Sequence, residues 1–273
     1  MPELPEVETI KNDLLPHVVG RRFVDVKLAS PEVVKIPSPE EFCQRLRGRI
    51  IRNLRRRGKY FIFELDGNNV LIVHLKMTGA LLLYTHPDSY RAYFRLDNGT
   101  EITFTDRRKL GALWLVEDAD SVVGKLGPEP LEPDFTTEVL AAMLRKRNVP
   151  IKALLLDQAF IAGLGNMYAD EALFAAGIHP LFLAKELTRK QIDRLYKAIQ
   201  QVLRAGIKSR GASGDTYRTP DGERGTAHLG FHVAHRKGER CLICGSVIEW
   251  LKLRGRGACY CPKCQKENLS KRG

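Results

Sequence analysis

The chain has 273 residues, 44% of them apolar and 28% charged, a size that suits two ordinary domains better than one minimal core. No run approaches the roughly eighteen apolar residues of a membrane span, and the acidic start has no basic-then-apolar signal pattern, so a cytoplasmic protein is expected. Lys and Arg outnumber Asp and Glu by 44 to 32, for a net charge of +12. Fifteen basic residues stand against six acidic ones from Arg204 onward, and a second basic cluster runs from Arg45 through Arg57 to Lys59. Two separated basic regions suit a polyanion held between two domains, although charge alone describes a solvated basic surface equally well.

In chain order, residues 5–15 read as a helix. Pro5 fits its first turn, Glu6 and Glu8 lie near the positive end of its dipole, and Pro16 and Gly20 should stop it. Short β-rich runs follow at 23–28, 60–65, 70–75, 92–96 and 100–104, with hairpin turns at 66–69 and 97–99. The pattern predicts an N-terminal antiparallel β-sandwich or barrel with one leading helix, over residues 1–130. A Gly, Pro and Glu-rich linker at 127–133 ends it. Helical spacing then recurs at roughly 136–147, 150–159, 166–176 and 188–208, defining a helical domain over 131–234. Residues 209–230 have no periodicity and read as a long mobile loop of the kind used in substrate capture. A finger over 235–273 completes an α+β multidomain chain.

The finger carries the strongest signal. Cys241-x2-Cys244 and Cys261-x2-Cys264 lie sixteen residues apart, a four-cysteine zinc spacing with a short strand, 247–251, between the pairs. Four thiolates leave no open position for water, so the expected metal is one structural zinc, with no organic cofactor. An iron site, a redox dithiol pair, or His235 in place of one thiolate are the competing arrangements, and Cys259 reads as a bystander. Between the pairs, Arg254-Gly255-Arg256-Gly257 puts two arginines on a turn, where they can grip phosphate. The run Gly163-Leu164-Gly165-Asn166, between two helical stretches, resembles a helix-hairpin-helix module for the DNA backbone, with Asn166 capping the second helix.

At the other terminus, Pro2 follows an initiator methionine that a small second residue normally allows to be removed. The freed secondary amine can attack an anomeric carbon and form an iminium, which draws electrons without a proton. Glu3 beside it can serve as acid and then base. Lys59 closes Arg55-Arg56-Arg57-Gly58-Lys59 at a strand root, where neighbouring arginines would lower its pKa. A common Met-Pro start and a phosphate-contacting lysine are the plainer accounts of the same residues.

Together these features resemble the bacterial formamidopyrimidine-DNA glycosylase family over nearly the whole chain. The motifs are Pro2-Glu3-Leu4-Pro5-Glu6, Arg56-Arg57-Gly58-Lys59, His74-Leu75-Lys76-Met77-Thr78-Gly79, Asp106-Arg107-Arg108-Lys109-Leu110-Gly111, Lys152-Ala153-Leu154, the 163–171 stretch, and Gly255-Arg256-Gly257 with Tyr260-Cys261-Pro262. The resemblance implies a monomeric, bifunctional DNA glycosylase and abasic-site lyase. It would act on double-stranded DNA holding oxidised purines such as 8-oxoguanine and formamidopyrimidines, flipping the damaged nucleotide out of the duplex.

By the same resemblance, Pro2 is the Schiff-base nucleophile and Glu3 the general acid/base. Lys59 donates the proton of the first elimination, and Arg256 grips phosphate and assists the second. Asn166 and Lys152 match backbone-binding positions, while Met77, Arg108 and Leu110 match the side chains that fill the vacated stack, Arg108 pairing the orphaned cytosine. Four positions depart from the pattern. Leu110 stands where phenylalanine is usual, and no histidine occupies the usual DNA-contacting place, where Ser89, Arg91 and the earlier His86 lie. The 211–218 loop differs, and Ala234-His235 replaces tyrosine-glycine. Two alternatives stay open: an endonuclease VIII-like glycosylase for oxidised pyrimidines, and a non-catalytic zinc-finger DNA-binding protein.

Overall fold

A computed structural model describes residues 1–84, 90–213 and 217–266. Contacts divide the chain into two compact units, Met1–Lys125 with Ile207–Thr226, and Leu126–Gly206 with Ala227–Gly273.

The first unit opens with helix α1 (Leu4–Val18), whose N-cap Glu3 has extended backbone and which keeps Pro5 in its first turn. Pro16 lies inside the helix rather than ending it. Leu14 and Val18 are fully buried, so their packing carries the chain one half-turn past the proline before Gly20, at φ 81°, turns it away. Strands β1 (Phe23–Leu28) and β2 (Val34–Ile36) follow, then helix α2 (Pro39–Leu46) and strand β3 (Ile51–Arg57). Next come β4 (Tyr60–Leu65), β5 (Val70–His74), β6 (Gly79–Leu83), β7 (Ala92–Leu96), β8 (Glu101–Asp106) and β9 (Ala112–Val116), then the one-turn helix α3 (Asp120–Val123).

These strands form a four-stranded sheet in the order β1-β7-β8-β6 and a five-stranded sheet in the order β2-β9-β5-β4-β3. All pairings are antiparallel except β2 with β9, which is parallel. One apolar core joins the inner faces. Phe23, Leu81, Phe94 and Phe104 come from the first sheet, Phe61, Val73 and Leu113 from the second, and Val7, Ile10 and Leu14 from α1. This is the sandwich that period-2 patterning predicts. Six elements of this unit, β2, α2, β3, β6, β9 and α3, had escaped the sequence reading, and two of them show why. Helix α2 is capped by Ser38, whose Oγ accepts the Glu41 amide at 3.2 Å, and buries only Phe42 and Leu46. Strand β3 has four arginines among its seven residues, and its two buried apolar residues, Ile51 and Leu54, are three apart and give no period-2 alternation.

The second unit contains α4 (Thr137–Leu144), α5 (Ile151–Leu155), α6 (Asn166–Ala176), the greater part of α7 (Arg189–Lys208) and the hairpin β10 (Glu249–Leu253) with β11 (Arg256–Tyr260). The 127–133 segment is pinned rather than loose. Gly127 donates to the Gln158 carbonyl at 2.8 Å, and the Pro128 carbonyl accepts from Ala162 at 3.0 Å. Residues 207–226, which take in most of the 209–230 stretch expected as a mobile loop of the helical domain, group instead with the first unit. Contacts that hold them there include the Leu83 amide donating to the Pro220 carbonyl at 2.7 Å, Arg210 meeting Asp13 at 3.0 Å, and the Ala212 amide donating to Glu6 at 2.8 Å. His86, Ser89 and part of the 211–218 loop lie outside the described residues, as do the last residues of the expected finger. Among the described residues, no helix is long and apolar enough to cross a membrane.

Candidate active site and metal centre

In the first unit the N-terminal residues are internal. Pro2 is buried, and Glu3 and Glu6 are 2% and 0% exposed. The Glu6 carboxylate does two jobs: one oxygen accepts the Glu3 amide at 2.8 Å, the other the Ala212 amide at 2.8 Å. A buried carboxylate is tolerable only when hydrogen bonds replace its water, and these two fix the helix start and the 207–226 segment to each other. Gly211, at φ 81°, passes so close to Glu6 that a Cβ there would sit 2.9 Å from Cγ. Tyr217 shares this pocket and donates its hydroxyl to the Arg210 carbonyl at 3.0 Å; burial, with the Glu6 charge nearby, pushes its phenol upward.

Lys59 is 4% exposed and follows Gly58, whose φ of 57° lets β3 turn into β4. Arg56 braces that turn, donating to the Gly58 carbonyl at 3.0 Å and pairing with Glu8 of α1 at 2.7 Å. Burial pushes the Glu8 carboxyl up, but hydrogen bonds and charge from Lys11 and Arg56 outweigh it and hold the group below its ordinary value. The brace connects the strand root bearing Lys59 to the helix that Pro2 and Glu3 lead into.

Met77 and Leu110 are exposed apolar side chains, 38% and 45% accessible, on the β5–β6 and β8–β9 turns, and Arg108 is exposed beside Leu110. The buried Asp106 carboxylate organises the second turn, accepting the Leu110 amide at 2.7 Å and the Gly111 amide at 2.6 Å. Arg91 is internal: its side chain is 7% exposed, its guanidinium pairs with Glu32 at 2.6 Å, and its Nε is buried without a partner.

In the second unit, α5 and α6 are joined by a turn organised by Gln158, a residue the sequence reading passed over. Its amide donates to the Leu164 carbonyl at 2.7 Å and its oxygen accepts the Gly163 amide at 3.0 Å. Gly163 takes φ 84°. The N-cap of α6 is Gly165 and Asn166 is the first helical residue, one position later than the capping role expected of it. Its Oδ1 is buried without a hydrogen bond.

Lys152 is fully buried. Its ammonium donates to Asp170 of α6 at 2.5 Å and to the Gly257 carbonyl of β11 at 2.8 Å, while Asp170 also accepts the Cys259 amide at 3.1 Å. Burial pushes the Asp170 carboxyl upward and Lys152 pulls it back. Glu171 beside it accepts the amides of His232, Val233 and Ala234 at 2.8–3.0 Å. Two adjacent acidic residues of α6 thus hold the finger strand and the segment leading to the finger.

The four cysteines converge. All four sulfurs lie within 4.8 Å of one another, with Cys241 to Cys264 at 3.9 Å and Cys244 to Cys261 at 3.4 Å. A tetrahedron with metal–sulfur bonds of about 2.3 Å has edges of about 3.8 Å, so the set fits a four-coordinate thiolate metal. His235 is not among the grouped ligands. Beyond the cluster, Leu253 faces Arg256 across a two-residue turn in which Arg254 and Gly255 have φ of 46° and 78°, the geometry of a tight primed hairpin. Arg254 and Arg256 are exposed at its tip.

Comparison with known proteins agrees along the chain. Residues 1–113 match the family described as "Formamidopyrimidine-DNA glycosylase N-terminal domain" and residues 126–218 the "Formamidopyrimidine-DNA glycosylase H2TH domain". The formamidopyrimidine-DNA glycosylase of Protochlamydia amoebophila is 41% identical over 98% of this chain and 100% of its own length. That of Chloroflexus aurantiacus is 43% identical over 97% and 98%. Among solved structures, the MutM (Fpg) protein of Thermus thermophilus superposes with a TM-score of 0.89 at 38% identity, covering 97% of this chain and 99% of that one. The Lactococcus lactis Fpg in complex with DNA containing an abasic site gives 0.90 at 34%, covering 97% and 100%.

Proposed function

Because the chain belongs to the formamidopyrimidine-DNA glycosylase family, we propose that it excises oxidised purines from duplex DNA and nicks the resulting abasic site through a Schiff base on Pro2. The observation that carries this reading is the buried Pro2-Glu3 start, locked by Glu6 at the head of α1. A nucleophile that must meet one sugar carbon gains most from being held rigidly.

With Met1 removed, the Pro2 amine attacks C1′ and the base leaves with a proton. Ring opening yields an iminium, whose charge acidifies the C2′ hydrogens so that the 3′ and then the 5′ phosphate can be eliminated. Glu3 protonates the opening ring oxygen and then serves as base. Lys59 donates the proton in the first elimination, and Arg256 holds phosphate and assists the second. Met77, Arg108 and Leu110 fill the gap left by the flipped nucleotide, with Arg108 against the orphaned cytosine. Asn166, at the start of α6, contacts the DNA backbone with its amide. Lys152, enclosed by Asp170 and Gly257, serves that surface by fixing β11. Cys241, Cys244, Cys261 and Cys264 hold one zinc as a scaffold for the Arg256 turn.

Borohydride trapping tests the reading. DNA containing 8-oxoguanine opposite cytosine should be captured covalently by the processed enzyme, and capture should vanish in Pro2→Gly and in protein that retains Met1. Absence of an adduct on every oxidised or abasic substrate would sink it. Faster turnover on thymine glycol than on 8-oxoguanine would move the chain to the pyrimidine-directed alternative.

A further inference from the structure

Two turns of the first unit carry the exposed side chains assigned above to the DNA gap, and a hydroxyl bridges them. Thr78 follows Met77 and is half-buried. Its Oγ1 donates to Asp106 Oδ1 and accepts the backbone amide of Arg108 at 3.1 Å. The same amide lies 3.2 Å from Asp106 Oδ1, while Asp106 Oδ2 takes the Leu110 and Gly111 amides. The hydroxyl of the first turn therefore both donates to the carboxylate of the second and accepts an amide from it, closing one hydrogen-bonded network across the two turns.

The surroundings leave each turn little freedom. Gly79 pairs with Asp106 in the β6–β8 ladder, and its amide closes the Met77 turn on the Leu75 carbonyl at 3.0 Å. Lys76, at φ 53°, donates its amide to His74 Nδ1 at 2.9 Å. On the other side, Lys109 takes φ 58° and its amide returns to the Asp106 carbonyl at 3.2 Å. What sets Arg108 relative to Met77 is the hydrogen-bonded triangle of Thr78, Asp106 and the Arg108 amide. A guanidinium that must find one base edge depends on where its own backbone is held, because a displacement of an ångström undoes a directed hydrogen bond.

We propose that Thr78 is a positioning residue that couples the Met77 turn to the Arg108–Leu110 turn, and so sets the enzyme's discrimination for the base opposite the lesion. This rests on the assignment of Arg108 to the orphaned base. Thr78 needs no contact with DNA for this role; its hydroxyl is committed inward.

The test compares Thr78→Val, which keeps the shape and removes the hydroxyl, with Thr78→Ser, which keeps the hydroxyl. For each, kcat/KM is measured on 8-oxoguanine opposite cytosine and opposite adenine. The readout is the ratio of the two values, which a partly folded preparation leaves unchanged. Loss of a hydrogen bond to a charged partner should narrow this ratio about tenfold in Thr78→Val, and Thr78→Ser should restore most of it. A wild-type ratio in Thr78→Val, or equal loss in both variants, overturns the proposal. Arg108→Ala separates the two layers of the argument. If it narrows the ratio while Thr78→Val does not, only the coupling is wrong; if it leaves the ratio unchanged, the assignment of Arg108 fails and the coupling falls with it.

Discussion

His74 shows how a single side chain can be constrained by its site. It ends β5 opposite Tyr60, with the two rings edge to face at 4.4 Å, and accepts the Lys76 amide on Nδ1. Burial, reinforced by the charges of Lys76 and Lys59, lowers its pKa from 6.5 to about 3. The folded state therefore holds it neutral, whereas the unfolded chain protonates it near its ordinary value. Its stabilising contribution is complete above about pH 6.5 and is lost as pH falls toward 3, at up to about 1.4 kcal/mol per pH unit. His74→Gln should flatten the dependence of unfolding free energy on pH between about 6 and 4 by that amount, as read from denaturant titrations. Equal slopes for the two proteins would show that the imidazole titrates normally in the fold.

At the scale of elements, buried and part-buried bonds tie the finger to the rest of its unit. Lys152 and Asp170 reach β11, Gln265 links the Cys261 amide to the Ile178 carbonyl, and the four thiolates close around the proposed metal. Without a metal, four sulfurs this close lose the ion that holds them together. Chelation should unfold the hairpin and abolish lesion-DNA cleavage, while leaving most of the helical and sheet circular dichroism in place. An apoprotein cleaving at full rate would show that the Arg256 turn does not depend on the metal. Gly257, in β11 just past that turn, has a packing reason of its own: a Cβ there would run into the Trp250 ring.

For the molecule as a whole, basic residues are distributed over both units. The Arg52–Lys59 strand and turn lie in one, and Arg254, Arg256 and Lys263 in the other. Binding to lesion DNA should weaken steeply with salt, each neutralised phosphate contributing a log–log slope of about −0.9. Arg256→Ala should reduce the magnitude of that slope by about one. An unchanged slope would place Arg256 away from phosphate.

Local pattern was enough to identify the sandwich with its leading helix, the helical stretches, and the four cysteines that cluster in the finger. Each depends on spacing within a short window: alternation along strands, a 3.6-residue repeat, and two Cys-x-x-Cys pairs. It also offered Pro2, Glu3, Lys59 and Arg256 as candidates for the proposed chemistry, through their types and neighbours. What it could not show were bonds between residues far apart in the chain. Glu6 reaches Ala212 across 206 positions, which draws the 207–226 segment into the first unit. Lys152 matches a DNA-backbone position in the sequence, but in the fold Asp170 and Gly257 enclose it, and Arg91, near the usual DNA-contacting place, pairs with Glu32. A buried charge is fixed by the partner that compensates it, and folding, rather than sequence proximity, brings that partner into place.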